Sequence, residues 1–292
     1  MLHPQICEAI AYASERGLRV AMTTNGSLLT PERVERLCAA GLSRLIVSLV
    51  TSDRMEHVAR HAMQTHDDYY DGVMAAIRSA RLRPTPLSVG VRVMSTWSRP
   101  LFDLGRMEKL HLNRSTSVLR RRVAVLMVDL ARCAGHELSH EEVSRRLAGV
   151  DVRRDSNIRV ADGVDVVLRT FGDWGNAFSS RAVHPVRIGY CSAALQTASV
   201  LSNGVVVPCC VDYEGRTQLG SVAEQPLGEI LRGPTVRRMM AGFGKFRVRE
   251  PGCQRCLGAS SRVGAVLKGL ATIVLFKRRD PVMRKSVRLF ST

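Results

Sequence analysis

Residues 18–49 read LRVAMTTNGSLLTPERVERLCAAGLSRLIVSL. The first six and the last five residues of this stretch are short, largely apolar runs, which are typical of buried strands. Between them, Asn25-Gly26 predicts a turn, and Thr30 followed by Pro31 predicts the N-terminus of a helix. The stretch therefore predicts a strand, a helix and a second strand joined by short loops.

The same alternation of strands and helices continues along the first half of the chain. Helical periodicity covers residues 67–80 and part of 104–134, and a further helix is predicted after Ser139, which forms a capping-box pattern with Glu142. Further strands are predicted at residues 87–94 and 164–170. Helices that connect neighbouring strands favour right-handed crossovers and a parallel sheet, so the predicted fold class is α/β.

Composition excludes several classes of protein. The chain has 292 residues, of which 45% are hydrophobic, too many for a disordered chain and enough for one large domain with a smaller appendage. The net charge is +17, but residues 232–292 alone contain 15 basic and 2 acidic residues. The basic character therefore belongs to the C-terminal tail, and the sequence contains no specific nucleic-acid-binding motif.

The N-terminal residues lack the pattern of a secretory signal, and the longest apolar stretch, 263–276, is interrupted by Lys268. That stretch is shorter than the ~20 residues that span a bilayer, so we expect a cytoplasmic protein without a transmembrane segment. Thiols stay reduced in that compartment. Cys7, Cys38 and Cys133 lie singly in predicted helices, where we expect them to act as small hydrophobic side chains.

The other five cysteines are clustered in the last 102 residues. Cys253 and Cys256 form a C-x2-C pair, which places two thiolates on one tight turn. A short apolar run after Gly204 leads to Cys209, and Cys191 precedes this run. Four soft sulfur ligands at such spacing select zinc or an iron–sulfur cluster, and the spacing alone does not decide between them.

The pattern Cys191-x12-Gly204-x4-Cys209, followed by Cys253-x2-Cys256, resembles the SPASM/Twitch extension of radical S-adenosylmethionine (SAM) enzymes. The intervening stretches, residues 203–212, 219–222 and 227–231, are also similar to that family. The resemblance implies one auxiliary 4Fe–4S cluster bound by these four cysteines, with Cys209 rather than its neighbour Cys210 as the ligand. Position 262 is Arg, where a larger variant of the family has a further cysteine.

The first half resembles the same family. Residues 23–29, TTNGSLL, and residues 42–49 are similar to segments of the radical SAM barrel. The resemblance implies a partial parallel (β/α) barrel in which Thr24, Asn25 and Ser48 contact SAM. It also implies SAM-dependent radical modification of an unidentified substrate. The alternative for these polar residues is local turn and cap chemistry at strand ends.

The family's C-x3-C-x2-C loop, which binds the catalytic cluster, and its Gly-Gly-Glu-Pro stretch have no counterpart in residues 1–292. By the resemblance both would precede Met1, so we expect an N-terminally truncated member that does not carry out radical chemistry in this form. We also expect the upstream reading frame to encode both motifs. The alternative from another class is a non-enzymatic iron–sulfur or zinc-binding adaptor protein with a basic tail.

We expect three segments: a partial barrel over residues 1–180, a SPASM/Twitch domain over 187–258, and an apolar helix with a basic tail over 260–292. The loop at 173–176 is either part of an active site at a strand end or a turn. We expect the apolar face of the last helix to pack against the rest of the protein. One alternative is that this helix or the basic tail contacts an anionic partner. The other is that it contacts a membrane interface.

Overall fold

The computed structural model describes residues 3–50, 52, 57, 64–95, 113, 115–170, 175–176 and 182–277. The described residues form two compact units: unit one contains those up to Thr170, and unit two contains those from Gly175 onward. The predicted basic tail after Lys277, together with Asp173 and Trp174 of the predicted loop, lies outside the described residues.

Unit one is built on a five-stranded sheet. Its strands are β1 (Ala21–Thr24), β2 (Arg44–Val50), β3 (Ser88–Ser95), β4 (Ser156–Ala161) and β5 (Val164–Thr170). They lie in the order β1-β2-β3-β5-β4. Strands β1, β2, β3 and β5 are mutually parallel, and β4 pairs antiparallel with β5. The four parallel strands are those predicted from the sequence.

Strand β4 was not predicted, and it makes the sheet mixed rather than purely parallel. Asp162-Gly163 joins it directly to β5 as a two-residue hairpin turn. Ile158 and Val160 face the core, while Asn157 and Arg159 are exposed. An α/β architecture with a mainly parallel sheet is therefore confirmed, whereas closure into a barrel stays a prediction.

The helices of unit one whose bounds the structure describes are α1 (Ile6–Glu15), α2 (Pro31–Ala39), α3 (His66–Arg81), α4 (Thr116–Cys133) and α5 (His140–Ala148). The Thr30 hydroxyl accepts the Arg33 N–H at the start of α2, as predicted. Ser139 and Glu142 form the predicted capping box, which fixes the first residue of α5.

The core of unit one lies between the sheet and the helices. Its largest fully buried side chains are Leu37, Leu45, Leu49, Ile77, Leu119, Leu126, Met127 and Leu130. Cys133 is buried in the same core, where its thiol lies 3.5 Å from the carbonyl oxygen of Met74. That position agrees with its expected role as a small hydrophobic side chain.

A buried carboxylate connects three strands of the sheet. Asp165 on β5 accepts from Arg159 on β4 at 2.8 Å and from Arg44 on β2 at 3.1 Å. The Arg44 side chain reaches Asp165 by crossing Gly90 on the intervening strand β3. A Cβ atom at Gly90 would lie 3.2 Å from an Arg44 nitrogen, so only glycine leaves full room for this crossing.

Unit two has a three-stranded antiparallel sheet and short helices. The strands are β6 (Ser199–Val200), β7 (Val205–Val207) and β8 (Gly220–Ser221), in the order β6-β7-β8. The helices are α6 (Ala193–Gln196), α7 (Leu227–Leu231), α8 (Pro234–Gly244), α9 (Pro251–Cys256) and α10 (Arg262–Lys277). The buried apolar residues of its interior include Tyr190, Ile230, Met239, Phe243 and Val248.

Helix α10 packs through the opposite face from the one predicted. Its buried residues are Ala265, Lys268, Gly269 and Thr272, while its valine and leucine side chains are exposed. A Cβ atom at Gly269 would lie 2.1 Å from the carbonyl oxygen of Ile188, so the close approach of α10 to residues 186–190 requires small side chains on the packed face. No helix among the described residues is long and apolar enough to cross a membrane.

Candidate metal centre

All four cysteines predicted as metal ligands line one cavity in unit two. Cys191, Cys209, Cys253 and Cys256 surround a space of about 60 Å³, whereas Cys210 is exposed and does not line it. One water-sized particle needs about 10–15 Å³ of such volume, so the cavity has room for several atoms. Among the described residues, no three His, Cys, Asp or Glu side chains converge on a point where a single metal ion could sit.

The fold delivers these thiols from three places. Cys209 follows β7, which a tight connection joins to β6: the Leu201 N–H donates to Val205 and the Gly204 N–H to Leu201. Cys191 lies just before α6. Cys253 and Cys256 are three residues apart on α9, so both thiols lie on the same side of one helical turn.

The loop that follows Cys209 is held by Asp212. Its carboxylate accepts the N–H of Arg216 at 2.9 Å and the N–H of Thr217 at 2.7 Å, and its own N–H donates to the carbonyl of Cys209. These bonds curl the loop so that Thr217 lines the cavity. The Thr217 hydroxyl is buried and has no hydrogen-bond partner among the described residues.

The beginning of α9 is fixed by a charged pair. Glu250, which directly precedes Pro251, is buried, and its carboxylate accepts from Arg238 at 3.0 and 3.3 Å in a two-pronged contact. A bidentate arginine–carboxylate pair restricts orientation as well as distance. The pair therefore anchors the end of α9 that precedes Cys253.

The other end of α9 is held by two buried side chains. The Asn176 amide donates to the carbonyl oxygens of Arg255, Cys256 and Gly258 at 2.7, 3.2 and 3.1 Å. The Lys268 ammonium donates to the carbonyls of Cys256 and Gly258 at 3.3 and 3.0 Å. Carbonyls at a helix C-terminus lack partners within the helix, and these donors satisfy them. Cys256 thus sits at a fixed helix end.

The cavity disfavours ionised thiols when no metal is bound. Burial raises the pKa of Cys253, and the neighbouring thiols of Cys191, Cys256 and Cys209 raise it further. Burial also raises the pKa of Cys209, although N–H groups in the following loop partly oppose this. Because thiolates are the form that binds metal, loading of this site must displace protons.

The donor set and the cavity fit an iron–sulfur cluster. Four soft thiols are the ligands that such clusters use, and the space between them exceeds the need of one ion. The unpartnered Thr217 hydroxyl adds a donor at the cavity wall, where a bound cluster offers sulfur acceptors.

Comparison with known proteins agrees with this assignment. A family model described as SPASM, an iron–sulfur cluster-binding domain, matches residues 191–257. Residues 191–257 are therefore similar to SPASM domains. The chain's resemblance to radical SAM proteins with such a domain, predicted from the cysteine spacing, is confirmed.

Two curated relatives are each named AdoMet-dependent heme synthase. The protein from Methanosarcina barkeri is 33% identical over 99 residues, which cover 32% of this chain and 26% of the relative. The protein from Nitratidesulfovibrio vulgaris is 41% identical over 59 residues, which cover 20% of this chain and 16% of the relative. The matched parts are therefore well under two thirds of either relative's length.

The residues predicted to contact SAM lie in unit one. Thr24 ends β1 and its hydroxyl accepts the Gly26 N–H, while the Asn25 side chain accepts from the N–H and hydroxyl of Ser27. Ser48 lies near the carboxyl end of β2, the strand that pairs with β1 in parallel. The strand ends are thus adjacent, and the observed bonds are those of a turn. The role of all three residues toward SAM stays a prediction.

Sequence reasoning missed two residues of the metal centre. Lys268 is the single charged residue of an apolar stretch, and this pattern indicates a buried role. A lysine on the packed side of a helix needs hydrogen-bond acceptors. Thr217 had no signal in the sequence, because its place depends on the curl of the loop around Asp212. Asn176 belongs to the loop predicted at 173–176, and its amide binds carbonyls at the end of α9.

Proposed function

We propose that unit two binds one 4Fe–4S cluster through Cys191, Cys209, Cys253 and Cys256. The observation that carries this proposal is that four thiols from three separate segments line one cavity. The matched iron–sulfur domain supports the same assignment. When bound, such a cluster supplies one-electron redox chemistry or a site for substrate.

The chain's own residues hold and shape this site. The Arg238–Glu250 pair fixes the start of α9, while Asn176 and Lys268 fix its end. Thr217 offers a hydroxyl donor, and the lysine ammonium places a positive charge beside α9. Positive charge and hydrogen bonds to sulfur both favour the reduced state of a cluster, so these groups raise its reduction potential.

We further propose that the whole protein carries out SAM-dependent radical modification of an unidentified substrate. Unit one would then form part of a (β/α) barrel in which Thr24, Asn25 and Ser48 contact SAM at the carboxyl ends of strands. The adjacency of β1 and β2 supports this placement. A cytoplasmic location fits the eight free cysteines, since thiols stay reduced there.

A non-enzymatic adaptor that binds an iron–sulfur cluster or zinc is the second candidate. The absence of the C-x3-C-x2-C pattern from residues 1–292 favours it for this stretch of chain. The same four thiols would then hold the cluster for structure alone, or would draw closer together around zinc, and the basic tail would contact an anionic partner.

The cluster proposal is tested by anaerobic reconstitution of the full chain with iron and sulfide. We expect about four irons per chain and broad sulfur-to-iron charge-transfer absorbance. Cys253→Ala should abolish both signals, whereas Cys133→Ala should leave them unchanged because Cys133 lies in the core of unit one. One tightly bound zinc and no iron, after anaerobic purification, would contradict the proposal.

The two candidate functions are separated by a second measurement. The reconstituted chain is incubated with SAM and dithionite, and 5′-deoxyadenosine is quantified. Its formation would support radical chemistry by this chain, while a loaded cluster without 5′-deoxyadenosine would favour the adaptor for the stretch tested. The same assay on a chain extended by any upstream coding sequence shows whether that segment supplies the activity.

A further inference from the structure

Helix α10 exposes a continuous row of aliphatic side chains. Val263, Val266, Leu267, Leu270 and Val274 occupy positions i, i+3, i+4, i+7 and i+11, which lie on one face of a helix. They are between 46% and 71% exposed, and they form what we call the aliphatic stripe. Adjacent exposed apolar residues mark an interaction surface more often than scattered ones do.

The charge around the stripe is of one sign. Arg262 begins α10 and Lys277 ends it, and the helix contains no acidic residue. The next two residues in the sequence are Arg278 and Arg279, and residues 262–292 contain eight basic residues and a single acidic one. A partner that covers the stripe therefore meets excess positive charge and must itself be anionic.

This charge pattern disfavours a second copy of the chain. If two stripes packed antiparallel, Arg262 of one copy would face Lys277 of the other; if they packed parallel, each residue would face its own equivalent. Like charges in both arrangements oppose association. A nucleic acid would satisfy the charge, but it offers no apolar surface for five valine and leucine side chains.

The composition of the stripe also disfavours a specific protein pocket. Binding hot spots at protein interfaces are rich in Trp, Tyr and Arg, whereas leucine and valine are rare among them. A row of aliphatic side chains without a large anchor suits a fluid apolar environment. We infer that α10 lies in the interface of an anionic lipid membrane, with the aliphatic stripe in the acyl boundary and the basic residues at the headgroups.

Unit two remains able to dock in this way because α10 is attached through its other face. Ala265, Lys268 and Thr272 are buried, and Thr272 accepts the N–H of Tyr190 at 2.9 Å. The helix therefore does not have to detach from unit two to present the stripe. This inference does not depend on the metal proposed for the cavity.

The test is co-sedimentation of the full chain with vesicles of phosphatidylcholine that contain about a third phosphatidylserine. We expect binding at low ionic strength that weakens at physiological ionic strength, and little binding to pure phosphatidylcholine vesicles. Leu267→Glu with Leu270→Glu should reduce the bound fraction about tenfold or more, since both side chains would enter the acyl boundary as charges. Lys277→Glu with Arg278→Glu should also weaken binding.

The matched control is Leu227→Glu with Leu231→Glu, which changes two exposed leucines of α7 on the same unit. This variant should sediment like the unchanged chain, and circular dichroism should show the same folded content for all variants. No sedimentation at low ionic strength overturns the inference. Equal binding to neutral and anionic vesicles overturns it too. A third outcome that overturns it is a chain that binds no vesicles but forms dimers in light scattering, when the Leu267→Glu with Leu270→Glu variant no longer forms them.

Discussion

Lys268→Met removes the ammonium that holds the end of α9. In the native chain this group lies 3.0 Å from the carbonyl oxygen of Gly258 and 3.3 Å from that of Cys256, and Lys268 is only 7% exposed. Methionine keeps the length and apolar character of the lysine stem, so the buried space stays filled. The substitution therefore isolates the two charged hydrogen bonds.

The expected loss follows from three contributions. A hydrogen bond with a charged donor contributes about 1.5–3 kcal/mol. Removal of a buried ammonium recovers part of its desolvation cost, and both carbonyls keep the Asn176 amide as a donor. We therefore expect the free energy of unfolding to fall by about 1.5–3 kcal/mol, the value of one such bond rather than two.

The measurement is urea unfolding of the apo chain, followed by circular dichroism under reducing conditions, together with the rate of iron loss from the reconstituted chain to a chelator. Lys245→Met is the control, because Lys245 is exposed on the same unit and its loss should change stability by less than about 0.5 kcal/mol. We expect Lys268→Met also to release iron faster than this control. If the two variants unfold alike and lose iron at the same rate, Lys268 does not hold the end of α9.

Three further predictions concern the cavity. Thr217→Val should lower the reduction potential of the bound cluster by removing a hydroxyl donor, while Thr217→Ser should keep it; equal potentials by redox titration would contradict this. Cys209→Ser should abolish iron loading and Cys210→Ser should not, and iron analysis that gives the reverse would show that Cys210 is the ligand. Because burial raises the pKa of Cys253, the stability of the apo chain contributed by its thiol is present below the ordinary thiol pKa and lost as pH rises above it. Urea unfolding at about pH 7 and about pH 10 should therefore show a smaller alkaline loss for Cys253→Ser than for the unchanged chain, and an equal loss would contradict the prediction.

Local chemistry made much of the fold predictable. The cap at Thr30, the capping box at Ser139 and the apolar strands that alternate with helices all act over a few residues, and each was found where the sequence predicts it. Strand β4 carried the Asp162-Gly163 hairpin signal as well. It was missed because the regular alternation of strands and helices favoured a purely parallel sheet.

The spacing of the cysteines made the candidate ligands predictable, but not what supports them. Asn176 and Lys268 reach the same carbonyls from positions 92 residues apart in the chain, and such bonds leave no periodic pattern in a sequence. The prediction of which face of α10 packs against the protein was wrong for a related reason. Hydrophobic periodicity shows which face is apolar, whereas the packed face here is decided by how closely the helix approaches the carbonyl of Ile188.

The ion pair between Arg44 and Asp165 crosses β3 at Gly90 and makes these three positions of unit one dependent on one another. A larger residue at position 90 would displace the Arg44 side chain and leave Asp165, which is 7% exposed, with Arg159 as its remaining cationic partner among the described residues. Replacement of Asp165 alone would leave Arg44 lying across the sheet without its carboxylate. Single substitutions at any of the three sites should therefore be poorly tolerated, and the order in which they accumulate should matter. Among natural variants of this sheet, an enlarged residue 90 should be found together with a shortened residue 44 and an uncharged residue 165.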